Sequence, residues 1–150
     1  PILTKEDGEV MFNGEYAFQY GAADWIREGT EGVIITCGTM VSKAINTWQK
    51  LKSKGISVGI LNLSCPVQLD TEKIREAAKT GLIITYEDHN IRTGIGSIVG
   101  TFLAETGLSC KFKRVGITAY GVSASPDYQY ERQSMDEDSL MELVQKLLKN

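Results

Sequence analysis

The chain has 150 residues, 42% of them hydrophobic and 23% charged, which is enough apolar material for one globular domain with a real core. Lys plus Arg total 16 against 19 Asp plus Glu, and the net charge of −3 gives no basis for a nucleic-acid or anionic-membrane partner. Apolar runs stay well short of the ~20 residues of a membrane span, and three widely spaced cysteines without a C-x-x-C frame neither a disulfide scaffold nor a zinc knuckle.

A reducing, cytoplasmic setting is therefore expected, and the start at Pro1 rather than Met suggests a portion of a longer chain. From Gly29 onward, β-branched runs alternate with segments of helical period, the pattern of βαβ units feeding a parallel sheet. Val33 to Cys37 reads as a buried strand. Met40, Val41, Ala44, Ile45, Trp48 and Leu51 form a helical stripe that stops near Lys54 and Gly55. Ile56 to Leu63 is the second strand. Asp70 is placed to cap the next helix, with Glu72 in its first turn, an apolar face of Ile74, Ala77 and Ala78, and Gly81 at its end.

Leu82 to Tyr86 is the third strand, and Ile95, Ile98, Val99, Phe102 and Leu103 mark a third helix. Lys111 to Ile117 is the fourth strand. Tyr120 to Gln133 reads as an ordered loop, because its tyrosines are poor material for disorder. Ser134 and Glu137 have capping-box spacing ahead of Leu140, Leu143, Val144, Leu147 and Leu148, a terminal amphipathic helix. With right-handed crossovers, the strand carboxyl ends gather Cys37 to Thr39, Ser64 to Cys65, Glu87 to Asn90 and Thr118 to Tyr120.

Thr85 to Ser97, TYEDHNIRTGIGS, holds the only histidine and carries most of the chemical signal. A dinucleotide fingerprint needs a third glycine at position 99, where Val99 stands and Gly100 follows, and it also needs a ribose-binding acid where the next strand ends at Thr118 and Ala119. The glycines read instead as structural: Gly94 for an unusual backbone turn, Gly96 and Gly100 for close packing of helix on sheet. Strand alternation lets Glu87 and His89 converge but sends Asp88 to the other face. A metal at the lone histidine would need ligands scattered in sequence. Glu87, Asp88, His89 and Asn90 are accordingly candidates for interface or interdomain hydrogen bonds, with no catalytic, cofactor-binding or metal-binding residue assigned. Cys37 and Cys65 both end strands, so a thiol pair is conceivable if those strands are neighbours, but buried inert thiols are the commoner case.

Taken together, Arg27 to Ala44 (REGTEGVIITCGTMVSKA), Leu61 to Asp70 (LNLSCPVQLD), TYEDHNIRTGIGS, and FKRVGI with the loop after it resemble, in order, the C-terminal domain of the transketolase family of thiamine-diphosphate enzymes. The family usually has two glycines where Thr93 and Gly94 stand and a proline where Gln68 stands. The resemblance implies a three-layer α/β/α fold with a mixed, mainly parallel five-stranded sheet over residues 1–150, its antiparallel strand drawn from around Glu15 to Gln19. It also implies that thiamine diphosphate and magnesium are held by other domains of the full enzyme. The chain's partners would be those domains, in a homodimer or heterotetramer, and the whole enzyme would transfer two-carbon ketol units between sugar phosphates. A deoxyxylulose-phosphate synthase or the β subunit of a 2-oxoacid dehydrogenase would share the same domain. The reading of another class is a free-standing α/β module binding a nucleotide or acidic metabolite at the strand ends.

Overall fold

The computed structural model describes residues 2–149. Its strands and helices run β1 (Asp24–Arg27), β2 (Gly32–Thr36), α1 (Met40–Lys52), β3 (Val58–Asn62), α2 (Thr71–Lys79), β4 (Leu82–Asn90), α3 (Ile95–Thr106), β5 (Lys111–Ile117), α4 (Pro126–Arg132) and α5 (Glu137–Lys149). The sheet has the order β1-β3-β2-β4-β5, with β1 antiparallel to β3 and the remaining pairs parallel. This is the mixed, mainly parallel five-stranded architecture expected from the sequence.

Strand alternation sorts the core into two halves. Ile34, Ile60, Ile84, Tyr86 and Val115 face α1 and α5, where Met40, Val41, Ala44, Leu51, Leu140 and Val144 complete one cluster. Val33, Ile35, Leu61 and Ile83 face α2 and α3, packing on Ile74, Ala77, Ala78, Ile95, Val99 and Leu103. Because β2 is covered on both sides, all five of its residues are buried, as its unbroken apolar run dictates.

The antiparallel strand lies later than expected. Around Glu15 to Gln19 the chain is irregular and exposed, and the Tyr16 N–H turns back onto the Asn13 carbonyl. Asp24–Arg27 pairs instead, because it can bury Ile26 and Arg27 against the sheet while laying Trp25 beside Leu61. The lead-in that follows crosses β3 so closely that a Cβ on Gly29 would sit 2.1 Å from the Gly59 nitrogen and the Val58 carbonyl carbon. Only a residue without a side chain passes there.

Two further expectations are corrected near the carboxyl terminus. The stretch 120–133 is not all loop: Ser125 accepts from the Tyr128 N–H and, with Pro126 in the first turn, starts α4. Ser134 does not cap α5, since it adopts a left-handed backbone (φ 54°). Asp136 does so instead, its Oδ1 accepting from the N–H groups of Asp138 and Ser139 at 3.1 and 2.9 Å. The remaining cap assignments hold: Asp70 accepts from the Lys73 N–H at 3.2 Å, and Gly81 follows α2 with φ 86°. Among the described residues, no helix is long and apolar enough to cross a membrane.

Candidate interface at the carboxyl edge of the sheet

β4 is the longest strand, and its last four residues are Glu87, Asp88, His89 and Asn90. Glu87 is fully buried. Its Oε2 accepts the Ile95 N–H at 2.6 Å and its Oε1 accepts the Gly96 N–H at 2.9 Å, so the carboxylate closes two open donors of the α3 N-terminus and meets the positive end of the helix dipole. A Cβ on Gly94 would lie 1.8 Å from that Oε2. Gly94 itself has an ordinary extended backbone (φ −85°, ψ −165°), which corrects the sequence reading: the glycine makes room for a carboxylate, not for an unusual turn. The companion reading of Gly96 and Gly100 agrees with the structure. Their added Cβ atoms would meet Thr85 Oγ1 at 2.6 Å and Phe112 Cε1 at 2.9 Å, the close seating of α3 on the sheet.

Asp88 turns toward α1, where the Thr39 hydroxyl donates to its Oδ2 at 2.9 Å. Thr39, which ends the β2–α1 turn, has no sequence signal beyond its position at a strand end. His89 is exposed, and its Nδ1 lies 3.8 Å from Glu87 Oε2 and 3.7 Å from Asp88 Oδ1, beyond hydrogen-bonding reach of both. Glu87 and Asp88 turn to opposite faces as alternation predicts, but the expected convergence of His89 with Glu87 is corrected, since the imidazole lies as near to Asp88. Register with β5 slips between Tyr86 and Asn90, yet alternation persists to Asp88: Thr85 and Glu87 face α3, Tyr86 and Asp88 the α1 side. Asn90 shapes the turn into α3, its Oδ1 accepting the Arg92 N–H at 2.9 Å and its carbonyl accepting the Gly94 N–H at 2.9 Å.

The other strand ends arrive as topology requires. Cys37 is half-buried, and burial, then the carboxylates of Glu87 and Asp88, push its thiol pKa above the ordinary value, the condition of an unreactive thiol. Cys65 is buried, and Cys37, Cys65 and Cys110 are all unpaired. Thr118 to Gly121, with Asn90 to Arg92 and Ile117, line an open cleft of about 450 Å³. Arg92 is the one charged side chain in that lining. Sequence reasoning did not single out the apolar side chains around this edge. Tyr120 in the cleft lining, Val122 and Tyr128 stand exposed, as do Phe18, Tyr20 and Val67; Gly21 packs against Gln68, and the Ala23 N–H donates to Asp70.

The family model described as "Transketolase, C-terminal domain" matches residues 21–140. The chain is 31% identical over 150 residues to an apulose-4-phosphate transketolase subunit from Actinobacillus succinogenes, the alignment covering 96% of this chain and 48% of the relative. It is 27% identical to a putative transketolase C-terminal section of Methanocaldococcus jannaschii, covering 98% and 47%. A 1-deoxy-D-xylulose-5-phosphate synthase of Chlorobium phaeovibrioides is 32% identical over 139 residues, covering 91% and 22%. Among solved structures, a split-gene transketolase titled as an inactive beta4 tetramer superposes with a TM-score of 0.84 at 24% identity, over 99% of this chain and 46% of that one. The chain thus spans about half, or less, of the length of these relatives.

Proposed function

The chain belongs to the transketolase C-terminal domain family, and on that premise we propose that it serves a larger thiamine-diphosphate enzyme as a non-catalytic domain whose carboxyl edge contacts the other domains or subunits. The observation that carries this reading is the division of labour in β4. Glu87 is spent inside the domain on α3, while His89 and Asn90 are exposed, Asn90 sharing its cleft with the exposed Tyr120. Asp88 is likewise engaged within the domain, by the Thr39 hydroxyl.

The residues of this edge do not suit the cofactor. Magnesium on a diphosphate takes oxygen ligands, carboxylates among them, and here the Glu87 and Asp88 carboxylates are engaged while the neighbouring cleft presents Arg92 as its charged group. On the family premise, the cofactor and magnesium belong to domains outside this chain, and the whole enzyme transfers two-carbon ketol units between sugar phosphates in a cytoplasmic homodimer or heterotetramer. Alignment over nearly the full chain with proteins named as a transketolase subunit and a transketolase section favours this subtype. The match to a deoxyxylulose-phosphate synthase supports the second reading, in which the same domain closes a synthase.

Isothermal titration of this domain with thiamine diphosphate and magnesium tests the assignment. No heat of binding is expected, and a saturable, magnesium-dependent signal at micromolar concentration would overturn it.

A further inference from the structure

The sheet ends on β5, which pairs with β4 alone. In a parallel ladder, every second residue turns its N–H and C=O to a given neighbour. The Lys111 N–H bonds to the Gly81 carbonyl, and the Ile117 carbonyl accepts the Ile91 N–H, so the odd-numbered residues serve β4. The N–H and C=O groups of Phe112 and Arg114 consequently point off the edge, and Gly116 continues their phase. Just past them the edge is closed: the Gln133 side chain accepts the Thr118 N–H at 3.2 Å and donates to the Ala119 carbonyl at 3.0 Å, as a neighbouring strand's amide would.

An open groove of about 470 Å³ runs along this edge between β5 and α5. Val115 and Leu143 give it an apolar floor, and Lys113 and Lys146 stand over it, with Glu142 as its single carboxylate. Neither lysine joins an ion pair among the described residues. Lys111 lies on the same face, donating to the Leu147 carbonyl at 3.1 Å. Arg114 is tied to the opposite face by the Ile91 carbonyl and the Ser97 hydroxyl, at 3.0 Å each.

We propose that the β5 edge is a strand-addition site that takes an extended acidic peptide segment of a partner chain. The free ladder groups supply main-chain hydrogen bonds, the groove receives alternate side chains, and the lysines select carboxylates. Lysines on an edge strand also deter pairing between copies of one chain. Two β5 edges brought together would set Lys111, Lys113 and Arg114 against their own kind, so the charge pattern that selects an acidic segment disfavours a second copy.

The test is fluorescence anisotropy on the full chain in its assembled enzyme, with a labelled heptapeptide of alternating Glu and Val and a counterpart of alternating Lys and Val. The Glu peptide binds saturably and protects the Phe112 and Arg114 amides from hydrogen exchange, and the Lys peptide binds at least about tenfold more weakly. Paired Lys113→Glu and Lys146→Glu substitutions reverse that preference while assembly and turnover stay as they were, which separates this site from the interface at the carboxyl edge. Arg114→Pro removes one outward N–H without touching the β4 ladder and abolishes binding; if that variant fails to fold, the lysine pair still decides. Failure of the Glu peptide to bind, equal binding of both peptides, or protection of the β5 edge that rises with protein concentration in the absence of peptide would each overturn the proposal.

Discussion

Glu87 shows how one buried charge organises its surroundings. Its two oxygens are matched to two helix N–H groups, and the missing side chain at Gly94 is the space they occupy. Glu87→Gln leaves one N–H facing an amide NH₂ group, so a loss of about 1–3 kcal/mol is expected in urea unfolding, with the midpoint moved and the slope kept. Gly94→Ala drives a methyl group into the carboxylate and should cost a similar ~1–3 kcal/mol by overpacking. The two losses will not add: in a Glu87→Ser background the alanine at 94 has room, and the double-mutant cycle should show coupling above about 1 kcal/mol. Additive losses would mean that the glycine serves something other than the carboxylate. Thr85 Oγ1, a neighbour of the same helix start, is buried without a partner.

At the scale of elements, helix ends and strand crossings set what each segment tolerates. α5 begins at Asp136, where the Ser139 hydroxyl adds to the backbone donors. Burial pushes the Asp136 carboxyl up, but the hydrogen bonds from Ser139 and Asp138 outweigh it and hold its pKa below the ordinary aspartate value. With the folded pKa depressed, the unfolded chain binds more protons, so the cap stabilises fully above the ordinary aspartate range and is lost as pH falls through the lowered folded value. Asp136→Ala should cost about 1 kcal/mol at neutral pH. Asp136→Asn, which caps without titrating, should flatten the fall of melting temperature between about pH 5 and pH 2 relative to the parent. An unchanged acid slope in the asparagine variant would count against this account. At the other end of the chain, Gly29→Ala places a Cβ against the β3 backbone, where nothing can rotate away. A loss of about 3 kcal/mol is expected, with hydrogen exchange rising first in β1 and β3.

At the scale of the whole molecule, Tyr120 stands exposed in the cleft at the strand ends, with Val122 and Tyr128 exposed shortly after it in the chain, and that face is proposed to meet the rest of the enzyme. Tyr120→Ser with Val122→Ser, in the assembled enzyme, should weaken association by about tenfold or more while the isolated domain melts as before. His89→Ala should likewise change assembly or stability more than turnover per assembled unit. Analytical ultracentrifugation beside steady-state kinetics separates the two, and a large loss of turnover with assembly intact would assign His89 to the chemistry instead.

Sequence alone determined the strand and helix alternation from Gly32 to Ile117 and again in α5, because each buried run and each helical stripe there is a local pattern that either strand or helix period satisfies but not both. It also showed that the glycines of TYEDHNIRTGIGS are out of register for a dinucleotide. Tertiary structure alone decided where the antiparallel strand lies, since this four-residue strand pairs with β3 only if a glycine crossing lets it approach. It decided, too, that Glu87 is buried while His89 is exposed, because the α3 N-terminus packs over the first and the second lies past the last buried position of β4. A carboxylate, a histidine and a glycine adjacent in sequence carry no record of which helix N-terminus will claim the charge; that is settled only when the helix packs down upon it.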